Sequence, residues 1–356
     1  MTDSIGVESR PQEAPAVARP TRVRDEAGPV EARLAWHALR YPIAPTANRL
    51  PYMLGGLTFF GLVLLVVTGV ILDQYYDPSA TGAHDSIVYI MTRVPLGDWL
   101  RALHYWGASI VLASVLLHLI WVFWRRSYTR PREVTWWTGV ALLSLLFALA
   151  FTGTVLRADQ EGGEALAHAI AGAELVGSAG AVLTPEFARS TSLLARLHNA
   201  HVSLLPLIMV ALIGLHFWLI RHLGIHAHEP KTSTFTHHLR RLTGYGLLGL
   251  ALLGALALVF PPGLGHPAVS GVEVTKPFWP FLWIYTLENI MGIEGMVLGP
   301  AVLFGFLLVV PLIDRRHRDA GGRPRWFSGL ATLMLALFLG ALLYGIFAPK
   351  MQHLGM

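Results

Sequence analysis

Seven stretches of this sequence are apolar over roughly the 20 residues needed to cross a hydrocarbon layer, and no other feature limits the fold more. They fall near residues 52–73, 104–124, 136–156, 200–220, 243–261, 296–313 and 326–347. In lipid the backbone must satisfy its own hydrogen bonds, so runs of this length cross as helices. The chain is 54% hydrophobic and only 14% charged, which suits a membrane interior better than a large soluble domain. The expected fold is an all-α integral membrane bundle of seven transmembrane helices.

Basic residues set the orientation. With the N-terminus in the cytoplasm, residues 1–50, 125–133, 221–241 and 315–325 face inward and carry 20 of the 27 Lys and Arg. The bias holds at each crossing and predicts a cytoplasmic N-terminus and an external C-terminus, in the manner of a bacterial inner-membrane protein. The same dispersal of charge among loops, with no basic stripe, argues against nucleic acid as a partner. Residues 1–35, rich in Ala, Pro, Glu and Arg, read as a disordered cytoplasmic extension. Residues 1–50 contain no apolar core of a signal peptide. The loop over 157–199 is long enough for short helices lying on the membrane surface, and the loop over 262–295 is rich in Pro, Gly and aromatics. Residues 226–242 form a linker between an N-terminal part (36–225) and a C-terminal part (243–356). His222, His226 and His228 lie around its start, where a solvated basic loop against anionic lipid is the expectation.

Ionisable side chains inside a span are costly and mark function. His104 and His118 are 14 residues apart, which puts them within about 40° on one helix face and about 21 Å apart along the axis. His201 and His216 on the fourth span are 15 apart, about 60° off one face and about 22 Å apart. Under the expected topology both spans run inward, so His104 and His201 share the outer level and His118 and His216 the inner level. Two imidazoles at each depth suit two haem irons, each with both axial positions filled, a site for electron transfer rather than oxygen chemistry. Spacing alone leaves His198 as an alternative to His201, because it also falls on the face of His216. Gly55 and Gly69 on the first span, and Gly139 and Gly153 on the third, repeat the 14-residue interval. Glycine admits a bulky group close to the backbone. The chain has no cysteine, which excludes disulfides, thiolate-bound clusters, covalently attached haem and a Cys nucleophile.

The segments "LGGLTFFGLVLLVVTG", "VYIMTRVPLGDWLRALHYWGAS", "TRPREVTWWTGV" and "LHFWLIRHLGI" resemble the cytochrome b family of bc-type quinol oxidoreductases. The chain looks closest to cytochrome b6 fused to its subunit IV partner. The resemblance covers most of residues 50–225 and extends more loosely over 243–347. It implies a four-helix di-haem part followed by a three-helix part, two haem b groups, and quinone as the exchangeable substrate. It selects His201 over His198, since Pro206 follows at the family's offset, and it pairs His104 with His201 and His118 with His216. Arg101 and Arg221 match positions that meet haem propionates or the inner quinone, and His222 lies beside the latter. Implied partners are an outer electron-transfer subunit of Rieske or c type, the quinone pool, membrane lipid and a second copy of the chain.

Two departures stand out. The family's Pro-Trp pair before Asp-Gln is Arg157–Ala158 here, and its Pro-Glu-Trp-Tyr motif reads "KPFWPF", with Phe278 in place of the glutamate that accepts a proton from quinol. Glu288 and Asp159 are the candidate substitute carboxylates for outer-site proton transfer. The altered motif also suits a different role, as the quinone-linked membrane subunit of another oxidoreductase. A non-redox anchor with packing histidines is the third reading.

Overall fold

The structure, a computed structural model, describes Arg33 and residues 36–225, 229–315 and 325–354. The expected N-terminal extension, apart from Arg33, lies outside the described residues, as do His226 and His228 of the basic loop.

Seven helices are long and apolar enough to cross a membrane. They are α1 (Leu50–Asp73), α3 (Gly97–Trp124), α4 (Glu133–Val155), α6 (Leu193–Leu223), α7 (Phe235–Val259), α9 (Ile293–Arg315) and α10 (Arg325–Phe347). Three shorter helices complete the described set: α2 (Ala83–Arg93), α5 (Gln160–Leu175) and α8 (Leu282–Met291). All three lie at one end of the bundle, called here the long-loop face. At the other end, the short-loop face, β1 (Pro42–Ile43) pairs antiparallel with β2 (Ser233–Thr234).

The apolar runs differ from the helices in one informative place. The fifth run begins at residue 243, but α7 starts at Phe235, capped by Thr234, whose hydroxyl accepts from the His237 amide. His237, His238, Arg240 and Arg241 are polar enough to hide this turn from a hydropathy window, yet they are helical. The long connection after α4 does carry a helix, α5, followed by 3₁₀ turns.

The C-terminal helices join the first four through a few polar contacts that lipid makes valuable. Pro311 lies inside α9 and cannot donate to the carbonyl four residues back, which is that of Leu307. The Trp136 indole on α4 donates to this same oxygen at 2.7 Å, and Trp137 donates to the neighbouring Leu308 carbonyl at 3.0 Å. Trp136→Phe removes that donor, and the expected cost is about 1–3 kcal/mol for one orphaned buried carbonyl, read as a lower unfolding midpoint in detergent. At the end of α9, Asp314 is fully buried and takes two hydrogen bonds from the Arg126 guanidinium, at 2.9 and 2.7 Å, and one from the Tyr128 hydroxyl at 2.9 Å. Around it Phe123, Tyr128, Trp136, Val310 and Phe327 form the largest apolar cluster. On the other flank α7 packs on α3 through Leu253, Ala257, Ala102 and Leu103, with the Trp99 indole donating to the Gly254 carbonyl.

Candidate functional site

Helices α3 and α6 bring the four span histidines into two facing pairs. The rings of His104 and His201 have centroids 6.3 Å apart at an interplanar angle of 61°, and His118 and His216 lie within electrostatic reach of each other. The 15-residue spacing on α6 is accommodated by a π turn over Ala200–Leu204, just before Pro206. A π turn absorbs one residue relative to an α-helix, which brings His201 and His216 towards the phase set by His104 and His118. His198 is placed elsewhere: its Nε2 lies 2.7 Å from Asp73 Oδ1 and its ring stacks on Tyr76.

Each expected glycine faces one of these rings. A Cβ on Gly69 would lie 3.3 Å from His104 Cε1, one on Gly153 3.1 Å from His201 Cε1, and one on Gly139 3.6 Å from His216 Cε1. A Cβ on Gly55 would lie 3.2 Å from His118 Cε1. The glycines therefore make room for the imidazoles themselves, a tighter role than clearance for a bulky group beside the helix.

The residues before the glycines complete the arrangement, and their role was not apparent from the histidine spacing. Thr68, Thr138 and Thr152 lie 3.0, 2.9 and 2.9 Å from Nδ1 of His104, His216 and His201. Each hydroxyl gives its hydrogen to a carbonyl in its own helix, of Leu64, Thr135 and Ala148. It is thus left as an acceptor for the imidazole Nδ1–H, and Nε2 keeps its lone pair. The sequence signal is the dipeptide Thr-Gly, present at three of the four glycines. At the fourth it is Leu54–Gly55, and His118 Nδ1 is buried without a hydrogen-bond partner.

At the long-loop face, Phe278 packs against Tyr105 with ring centroids 5.5 Å apart. Asp159 is fully buried with both oxygens engaged: Oδ1 accepts from the Gly162 amide, and Oδ2 from the Gly265 amide and the Arg157 guanidinium. The neighbouring Gln160 side chain accepts from the Val269 amide and donates to the Val272 carbonyl. Together they clamp the loop after α7 onto the start of α5. Arg101 donates to the Pro262 carbonyl and pairs with Asp98.

Glu161, two residues beyond Asp159, occupies the position of interest. It pairs through Oε2 with Arg157, and its Oε1 is buried without a hydrogen-bond partner. Burial raises its pKa, while Arg157 and the Phe278 backbone amide oppose the shift. A carboxyl thus lies beside Phe278 although the residue itself carries none. Only the fold joins residues 117 positions apart, which is why the sequence alone pointed to Asp159 and Glu288.

Glu288 on α8 faces His168 of α5, whose Nε2 is 3.3 Å from Oε1, and both lie close to His353 of the C-terminal tail. Burial pushes the Glu288 carboxyl up to about 7, with His168 opposing and Glu273 adding to the shift. At the short-loop face Arg221 and His222 are exposed. The Arg221 guanidinium lies 4.0 Å from the centre of the Tyr41 ring and donates to the Ala38 carbonyl, and His222 stacks on Trp218.

Comparison with known proteins agrees with this architecture. The profile of the family described as cytochrome b/b6/petB matches residues 40–224. A cytochrome bc complex cytochrome b subunit of Chlorobaculum thiosulfatiphilum is 33% identical over 320 residues, covering 81% of this chain and 72% of its own. A menaquinol:cytochrome c reductase cytochrome b subunit of Geobacillus thermodenitrificans is 36% identical over 183 residues, covering 49% of this chain and 80% of its own. Among solved structures, a chain of a hyperthermophilic respiratory Complex III superposes with a TM-score of 0.75 over 90% of both chains at 23% identity, a likeness of fold. By the profile match over half its length and the identity it shares with these relatives, this integral membrane chain belongs to the cytochrome b/b6 family.

Proposed function

We propose that the protein is the di-haem b subunit of a bc-type complex, moving electrons between its two faces and exchanging them with quinol and quinone. The observation that carries this reading is the pair of facing histidine sets on α3 and α6, three of the four oriented by a Thr-Gly step. The His104 and His201 ring centres are 6.3 Å apart, a separation at which one metal ion would be in reach of a nitrogen of each ring at about 2 Å. Threonine acceptors at Nδ1 fix the tautomer that a metal ligand needs, and the glycines let each ring lie against the helix backbone. A b haem, when bound, would supply reversible one-electron transfer.

The chain's own groups serve the faces. His104 and His201 would hold one haem and His118 and His216 the other, with Gly55, Gly69, Gly139 and Gly153 making room for the four imidazole rings. Arg101 supplies positive charge at the long-loop level. Arg221 and His222 stand at the short-loop end, where quinone would be reduced. At the long-loop face Glu161 takes the proton-accepting role in our reading, because its carboxyl lies beside Phe278. Asp159 has no oxygen left to offer, and Glu288 is directed at two histidines. With the N-terminus in the cytoplasm of a bacterial inner membrane, the long-loop face is external. There it would meet an electron-transfer partner of Rieske or c type, in a complex holding lipid and two copies of this chain.

The test is a pyridine haemochrome assay with quinol-driven haem reduction on the purified complex. Two b haems per chain are expected; none would overturn the reading. Phe278 favours one rival, a quinone-linked subunit without quinol oxidation at the long-loop face. In our reading Glu161→Gln lowers the quinol-oxidation rate by about 100-fold or more, the usual contribution of a positioned proton acceptor, with haem spectra unchanged. An unaltered rate removes Glu161 from the mechanism, and the absence of long-loop quinol oxidation in the unmodified complex favours the rival.

A further inference from the structure

A second cluster of ligating side chains stands apart from the span histidines and serves no step proposed so far. His168 on α5, Glu288 on α8 and His353 in the C-terminal tail direct one ligand atom each to a common point, all within 4.8 Å of one another. The Glu288 and His353 side chains are only 5% and 6% exposed.

The hydrogen bonds of the two imidazoles decide what this point lacks. His168 Nδ1 lies 2.7 Å from the Glu164 carbonyl oxygen, which can only accept, so the ring hydrogen is on Nδ1 and Nε2 carries a lone pair. His353 Nε2 lies 2.7 Å from Asn289 Oδ1, so its hydrogen is on Nε2 and Nδ1 carries the lone pair. His168 Nε2 is 3.3 Å from Glu288 Oε1, and His353 Nδ1 is 3.8 Å from Glu273 Oε2. Acceptors therefore converge on acceptors. Glu288 Oε1 and His353 Nδ1 are buried without any hydrogen-bond partner.

We infer that His168, Glu288 and His353 bind a divalent cation of the zinc class, fastening the C-terminal tail to α5 and α8. Two imidazoles and a carboxylate are an established donor set for zinc. Ligands about 2.1 Å from a tetrahedral ion lie about 3.4 Å from one another, close to the 3.3 Å His168–Glu288 spacing, and a ligand atom of His353 lies within 4.8 Å of both. Each imidazole already has the outer acceptor that orients metal-bound histidine, the Glu164 carbonyl for one and Asn289 for the other. Glu273 lies beside the cluster, its Oε2 3.8 Å from His353 Nδ1, and its oxygens hold the tail by accepting from the amides of His353 and Leu354. The tail is poised for this by Tyr285, whose hydroxyl donates to the Pro349 carbonyl and accepts from the Met351 amide. A cation would link three segments: α5, α8 and the tail. The inference does not depend on the haem reading, since it shares no ligand with it.

The untagged full chain in detergent is loaded with Zn²⁺, freed of loose metal by a weak chelator and analysed for bound zinc. The expected result is about one retained zinc per chain, lost in both His353→Ala and Glu288→Gln. Asn289→Leu, which removes only the outer acceptor, is expected to weaken binding by about 10- to 100-fold. X-ray absorption of the unmodified protein supplies a readout independent of variant folding, with two imidazoles and carboxylate oxygen expected around the zinc. No retained zinc in the unmodified chain, retention unchanged in His353→Ala, or a spectrum without two imidazoles overturns the proposal. Any of these results leaves a proton as the occupant between His168 and Glu288.

Discussion

Leucine in place of His201 is expected to leave the protein with one b haem per chain where the unmodified protein has two. The side chain removed faces His104 across 6.3 Å, and a single remaining imidazole does not hold both sides of an iron. Leucine is close to histidine in size and is at home in a span, so the helix should persist and the second pair, His118 and His216, should keep its occupant. The informative control is His198→Leu. That residue is three positions away and was the alternative by spacing, but its ring is tied to Asp73 and stacked on Tyr76. Both haems should survive its loss. Haem per chain from a pyridine haemochrome assay separates the outcomes. Two haems retained in His201→Leu, or one lost in His198→Leu, would reverse the assignment.

The second large effect lies far from the histidines. Asp314→Ala is expected to destabilise the protein by about 3–5 kcal/mol, the range for removing one partner of a buried ion pair. Its carboxylate is the common acceptor for Arg126 and Tyr128. Loss of the acceptor leaves a guanidinium and a hydroxyl facing an apolar cluster of Phe123, Trp136 and Phe327. The Arg126 side chain is 28% exposed, so part of its charge can be rehydrated, and the effect should fall towards the lower end. Thermal unfolding in detergent reads the loss; a midpoint equal to the parent's would show that the pair contributes nothing net.

The parts of this molecule that were legible in the sequence are those that depend on neighbours along one helix. Crossing a hydrocarbon layer demands some 20 apolar residues in succession, so all seven spans could be read without knowing what they pack against. The 14-residue intervals of His104–His118, Gly55–Gly69 and Gly139–Gly153 are likewise properties of single helices. The 15-residue interval of His201–His216 resisted because its resolution, a π turn, is a backbone irregularity next to Pro206. The threonines at 68, 138 and 152 were missed although their position before glycine is a local pattern, because a hydroxyl in a span reads as ordinary packing until its partner across the helix interface is known. Glu161 beside Phe278 and the meeting of His168, Glu288 and His353 are purely tertiary. No window along the chain contains them.

The contacts that bind the C-terminal helices to the first four bear on how such a chain could be encoded. Among the described residues, α7 grips α3 through Trp99 and Gly254, and α9 grips α4 and the loop after α3 through Trp136, Arg126 and Tyr128. Each of these contacts is made by residues outside the segment between α6 and α7. A covalent link shortens the search for partners, an entropic benefit that falls only slowly as the link lengthens. Two separately translated pieces, divided there, would present the same complementary surfaces to each other within the plane of the bilayer. In this architecture, fusion and fission of the gene are nearly equivalent solutions to one assembly problem.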